Sequence, residues 1–290
     1  MRRSSPSPVG PSVRIAPVPL EVSLLGRVEL SVGGREVRLP SRSAQALLAV
    51  LALKPRVRTR EAVAAEIWPD GDGSGTSASL RQALWLIRSA FVGAGLGLAD
   101  YLEIDPEVIG FRRCAPLDVD VARFEAAVRD RTAGPDQAIA LYHGDLAECL
   151  ALECFATDRE RLSDAYEDAL AMATERCLLA DDLDGARDAA ERLLARDPLR
   201  EEAHAALLRV YGRLGSRSQV VRQYRRVTDL LERELGVEPL PETDAAYRAA
   251  LAETLDRSRL QAARVAFGGG PVRATRPSRA DGALGGMARR

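Results

Sequence analysis

The sequence predicts a mainly α protein in two parts, an α+β domain followed by an all-α one. Three observations predict it. Aromatic residues make up only 4% of the 290 residues, so the core has to be built from Ala, Leu and Val, which favours helices. Alternating strand-like stretches are confined to the first part, on either side of three helical segments. From Asp118 to about Asp256 the pattern is helical throughout.

Residues 1–20 are rich in Pro, Ser and Arg and read as a disordered arm. The segments "EVSLLG", "RVELSVGG" and "REVRLP" come next as short strands, with Gly33-Gly34 as a hairpin turn and Pro40 as a stop. Ser41 can cap a helix over "RSAQALLAVLALKP", and Thr59 a second over "REAVAAEIW", with Glu61 in its first turn. "PDGDGSG" reads as a loop, and "SASLRQALWLIRSAF" as the third helix. "YLEID" and "VIGFRR", with a turn at Pro106-Glu107, read as a second hairpin. Three helices closed by a hairpin are the pattern of a winged helix-turn-helix over 21–116, whose third helix enters the DNA groove.

Asp120 can cap "VARFEAAVRD", Pro135 suits a first helical turn, and a long helix is expected from about Thr157 to Ala180. Tyr211 stands thirty-four residues after Cys177 and Tyr224 thirty-four after Ala190, with Gly215 between two helices. That period is the tetratricopeptide signature, which makes 117–256 an all-α, tetratricopeptide-like domain. Residues 257–290 are dominated by Gly, Pro and Arg and read as a disordered basic tail.

The net charge of −1 hides an uneven distribution. The arm carries +3, residues 21–116 +1, residues 117–256 −12 and the tail +7. Blocks of different sign suggest different partners. The −12 surface keeps the helical domain soluble or meets a basic partner. Cys114, Cys149, Cys154 and Cys177 form no CxxC pair and read as reduced, mostly buried thiols. The first residues lack the apolar core of a signal peptide, and the longest apolar run, 46–53, is too short to span a bilayer. Both predict a cytoplasmic protein without membrane contact.

Enzymatic readings are poor. The only lysine, Lys54, lies between Leu53 and Pro55, so no Gly-Lys-Ser/Thr phosphate loop exists. His143 and His204 are isolated from any cysteine at metal-ligand spacing, and "FGGGP" follows no strand. No enzyme, cofactor or metal is expected.

The third helix carries the functional reading. Leu84, Ile87 and Phe91 fall within about 40 degrees of Leu80 and form a core stripe. Arg81, Gln82, Trp85, Arg88 and Ser89 span the opposite arc. A solvated face accounts for the charges but not for a large ring in their midst. Arg can pair with guanine and Gln with adenine in the major groove. Arg112 and Arg113 suit a wing on phosphate or a solvated strand end, and Arg42 at a helix start suits a phosphate. Two arginines on the reading helix predict that two or more copies act together on adjacent sites.

"LPSRSAQALLAVLAL", "RTREAVAAEIWPD" and "SASLRQALWLIRSAF" resemble the OmpR-type winged-helix domain of SARP-type bacterial transcriptional activators. "LDVDVARFE" is similar to that family's junction, and "YRRVTDLLERELGVEPLPETDAAYRAAL" to the end of its bacterial transcriptional activator domain (BTAD). The resemblance covers about 21–256. It implies an activator that binds promoter-proximal direct repeats of double-stranded DNA as a dimer or array and recruits RNA polymerase. It implies that the helical domain aids self-association. Members of the family often carry basic residues at the positions of Ser43, Gln45, Leu86 and Ser89, which here lack charge. Fewer phosphate contacts predict weaker, less salt-sensitive binding per domain. The alternative is a scaffold or adaptor whose winged helix has turned from DNA to protein contact.

Overall fold

A computed structural model describes residues 18–268 except 72, 131 and 133. The expected arm over 1–17 and the tail over 269–290 lie outside the described residues. The chain forms two compact units, the first ending at Ala206 and the second beginning at Leu207.

In the first unit, β1 (Leu20–Ser23), β2 (Glu29–Val32) and β3 (Arg35–Glu36) form an antiparallel meander. Leu20, which falls in the expected arm, is fully buried and opens β1. Gly33 and Gly34 have φ of +56° and +76°. A two-residue turn of type I′ needs both in the left-handed region, which glycine reaches without strain. Ser41 caps α1 (Arg42–Leu53) by accepting the Ala44 N–H at 3.2 Å. Thr59 caps α2 (Arg60–Ile67) through the Ala62 N–H at 3.3 Å. Ala44 and every residue from Ala46 to Ala52 are buried, so α1 is the centre of the domain.

Helix α3 (Gly73–Gly93) begins earlier than expected, because Gly73, Ser74 and Gly75 of the presumed loop are helical. Ser77 Oγ donates to the Gly73 carbonyl at 2.9 Å, and Thr76 is buried, so the first turn is anchored to the core. A short strand that the sequence does not announce, β4 (Arg58–Thr59), pairs with the wing hairpin of β5 (Leu102–Ile104) and β6 (Val108–Phe111). Asp105 closes the hairpin by accepting the N–H groups of Glu107 and Val108 at 2.8 and 2.7 Å.

The junction departs from the expected helical pattern. Residues Leu117–Val119 form a strand, β7, parallel to β1, which completes a sheet in the order β3-β2-β1-β7. Asp120 opens α4 (Asp120–Arg129) but does not act as its cap. It is buried, and its carboxylate accepts the N–H groups of Leu24 and Leu25 at 2.8 to 2.9 Å as well as that of Val121 at 2.8 Å. Burial raises its pKa despite these donors.

After Pro135 come α5 (Asp136–Leu141), α6 (Ala156–Leu179) and α7 (Leu183–Arg196). Tyr142 and Tyr166 stack at 4.1 Å, and Arg196 lies over both rings while donating to Asp145 and Ser163 at 2.7 Å. The loop after β1 meets the segment after α5: Ala147 N–H donates to the Leu24 carbonyl at 2.7 Å and Gly26 N–H to the Asp145 carbonyl at 3.0 Å. One continuous apolar core therefore runs from Leu20 to Ala203.

Helix α8 (Glu201–Arg213) leads into the second unit, with α9 (Arg217–Leu235) and α10 (Pro241–Gly268). Tyr224 and Tyr247 stack at 3.9 Å, and Tyr224 donates to Asp244. Helix α10 passes the expected end near Asp256, because no strong breaker interrupts "RSRLQAARVAF" before Gly268. All four cysteines are free, but only Cys177 is buried. Cys154 is half-buried, and Cys114 and Cys149 lie on exposed connections, so the thiols are not mostly interior.

Candidate nucleic-acid interface

On α3, Leu80, Leu84, Ile87 and Phe91 are all buried, as is Ala83. Packing of this stripe against α1 and α2 fixes the rotation of the helix and turns the other arc outward. Arg81, Gln82, Trp85, Arg88 and Ser89 are exposed, and Trp85 keeps 64% of its surface in solvent. Ser89 Oγ donates to the Trp85 carbonyl at 2.9 Å, so its hydroxyl is committed to its own helix. The outward groups are thus two guanidinium forks, one amide and one indole. Leu86, at the edge of the arc, is half-buried against the core.

Two shallow grooves flank this arc. Arg81 lines one with Ser77, Arg60, Glu61 and Pro106, where α3 passes the start of α2 and the wing turn. Arg88 lines the other with Val92, Leu96, Ile104 and Arg112, where the end of α3 passes the base of the wing. The structure so brings Arg88 and Arg112 to one groove. Arg112 Nε donates to the Ala99 carbonyl at 2.7 Å, which orients its guanidinium. Arg113 is exposed next to it and lines neither groove. Both come after β6, so they stand at the open end of the hairpin; its turn carries Asp105 and Glu107 instead. Arg42 is exposed in the first turn of α1, beside the Ser41 cap, and also lines neither groove.

Arg60 is the residue that sequence reasoning missed. Its N–H donates to the Glu107 carbonyl at 2.8 Å and its Nη1 to the Asp105 carbonyl at 3.1 Å, which ties α2 to the wing turn beside Arg81. Its partners lie forty-five residues and more away, and local periodicity carries no such signal. Two other cations of the domain are consumed internally. Glu66 receives Lys54 Nζ at 2.9 Å and also pairs with Arg58. Burial alone raises the Glu66 pKa, but hydrogen bonds from Lys54 and Arg58 outweigh it and hold the carboxylate below its ordinary range. The sole lysine of the chain therefore belongs to the scaffold rather than to a binding surface.

Among the described residues, no group of His, Cys, Asp and Glu has the arrangement of a metal site. No helix of the described residues is long and apolar enough to cross a membrane.

Comparison with known proteins adds four findings. The family model for the bacterial transcriptional activator domain matches residues 119–251. The chain is 27% identical over 252 residues to the transcriptional regulatory protein MoaR1 of Mycobacterium tuberculosis, covering 80% of this chain and 79% of the relative. MoaR1 of Mycobacterium bovis is 26% identical over 249 residues, with the same coverage. Among solved structures, Mycobacterium tuberculosis EmbR, in complex with a low-affinity phosphopeptide, superposes with a TM-score of 0.64. It shares 22% identity, over 86% of this chain and 71% of that one, and so attests the fold.

Proposed function

We propose that the chain is a SARP-type transcriptional activator that reads promoter DNA with α3, a reading supported by its match to the bacterial transcriptional activator domain and its similarity to MoaR1. The observation that carries this reading is the exposed arc of Arg81, Gln82, Trp85 and Arg88 over a fully buried stripe. The forks of Arg81 and Arg88 match the paired acceptors of guanine, Gln82 matches adenine, and the Trp85 ring offers apolar contact to a thymine methyl. Arg112, oriented by Ala99, and Arg42 and Arg113 reach for phosphate. In this reading 21–116 is the DNA-binding domain and 117–256 the domain that pairs protomers and meets RNA polymerase. The domain carries only +1, and Lys54 and Arg58 are spent on Glu66, so two copies on adjacent repeats supply the affinity.

A mobility shift on the protein's own promoter tests this. Arg81→Ala/Arg88→Ala is expected to lose the difference between promoter and scrambled duplex, at about 1–3 kcal/mol per lost bidentate contact. Equal discrimination by variant and wild type removes α3 as the reader.

The exposure of Trp85 favours a second reading, in which this face docks a protein. An adaptor of that kind binds promoter and scrambled duplex alike, whereas a reader prefers the promoter at every salt concentration.

A further inference from the structure

The helical region is acidic as a whole, yet residues 207–226 hold six arginines and no acid. Two of the six, Arg209 and Arg213, have partners. Every arginine of α6 and α7 has a partner: Arg159 on the carbonyls of Leu146 and Ala147, Arg161 on Glu125, Arg176 on Asp136, Arg187 on Asp184, Arg192 on Asp188 and Arg196 on Asp145. Arg217, Arg222, Arg225 and Arg226 of α9 differ. All four are exposed, and none of their guanidinium groups has a hydrogen bond or ion pair among the described residues.

Three of the four, Arg222, Arg225 and Arg226, share one face. Val220, Gln223, Val227 and Leu231 are the buried side of α9. At roughly 100 degrees per residue Arg222, Arg225 and Arg226 fill the arc opposite that side, over a rise of about 6 Å, and Arg217 stands one to two turns before them at the edge of the buried side. No exposed large apolar residue lies between Arg217 and Arg226. A protein interface of ordinary affinity is anchored by such residues. An array of unpaired guanidinium forks with no apolar anchor fits a regular polyanion instead.

We infer that the outward face of the first half of α9 binds the phosphate backbone of double-stranded DNA. This rests on the reading of the chain as a DNA-binding regulator. It adds to that reading a second, sequence-independent contact, which supplies cations that the near-neutral winged helix lacks.

The test is a salt titration of the full chain on promoter and on scrambled duplex, for wild type, Arg217→Gln/Arg222→Gln/Arg225→Gln/Arg226→Gln and Arg81→Ala/Arg88→Ala. Circular dichroism checks that the variants fold. Loss of the three phosphate contacts of that arc is expected to flatten the slope of log K against log salt by about 2.7 on both duplexes. Between about 50 and 200 mM salt, wild type then loses roughly 40-fold more affinity than the quadruple variant. Preference for the promoter stays intact in that variant. Wild-type slopes in the quadruple variant overturn the inference, and if Arg81→Ala/Arg88→Ala still loses its preference, the reading of α3 stands alone. A wild type without promoter preference removes the reading of α3, while the slope on scrambled duplex still decides the α9 face. A quadruple variant that binds DNA normally but no longer binds RNA polymerase assigns the face to an acidic protein and overturns the DNA assignment.

Discussion

Asp120 places one carboxylate under the N–H groups of Leu24, Leu25 and Val121, and both of its oxygens accept. Two effects oppose each other there. Burial raises its pKa, which favours a neutral group; three aligned donors favour an anion. Asp120→Asn separates them. The amide escapes the desolvation cost but turns an NH2 group toward a backbone N–H, whichever way it is flipped. Donor geometry is expected to win, because an unsatisfied buried donor costs on the order of 1–3 kcal/mol. Urea unfolding should therefore show Asp120→Asn less stable than wild type by about that amount, and Asp120→Ala no better. A variant as stable as wild type means that desolvation, not hydrogen bonding, governs the site.

At the scale of elements, the legible features are those that local chemistry decides. Ser41 and Thr59 cap the helices they precede, and Gly33-Gly34 makes the turn that only two positive-φ residues make well. The buried stripe of α3 arises from its period alone. What stayed hidden depends on distant partners. The two residues of β4 have no period, and β7 reads as a helix start because its strand character comes from lying beside β1. The face of α3 was legible but not its neighbours, since Arg60 and Arg112 reach it only through the wing. Gly110 is a further case. A Cβ there meets the Arg56 carbonyl oxygen at 2.5 Å and the Val57 Cα at 2.6 Å, both backbone atoms that cannot swing aside. Gly110→Ala is expected to push β6 from β4 at a cost of about 2–3 kcal/mol. Hydrogen exchange should show it as faster exchange at Ile109 and Arg58 than in α3. Unchanged protection at both means the strand can shift as a whole.

For the whole molecule, the expected domain division and the compact units do not coincide. The winged helix is expected to end near residue 116, and the activator-domain match starts at 119, yet the first unit continues to Ala206. Three sets of bonds explain this. Strand β7 pairs with β1 from beyond the boundary, with Leu20 opposite Leu117. Asp120 holds the turn after β1. The segment after α5 closes on that same turn through Ala147 and Asp145. A fragment of residues 1–116 loses all three and exposes β1 as a bare sheet edge, with Leu20 and Val22 losing apolar cover. A fragment of residues 1–206 keeps them. A loss of about 3 kcal/mol in a domain of this size lowers Tm by more than about 10 °C. The short fragment should therefore melt that far below the long one, or aggregate through its open edge. Equal melting temperatures for the two fragments mean that the winged helix is independent of β7 and of the helices beyond it. A lower Tm for the short fragment means that a displacement of α4 or of the segment after α5 is felt at β1, in the same core that sets the rotation of α3.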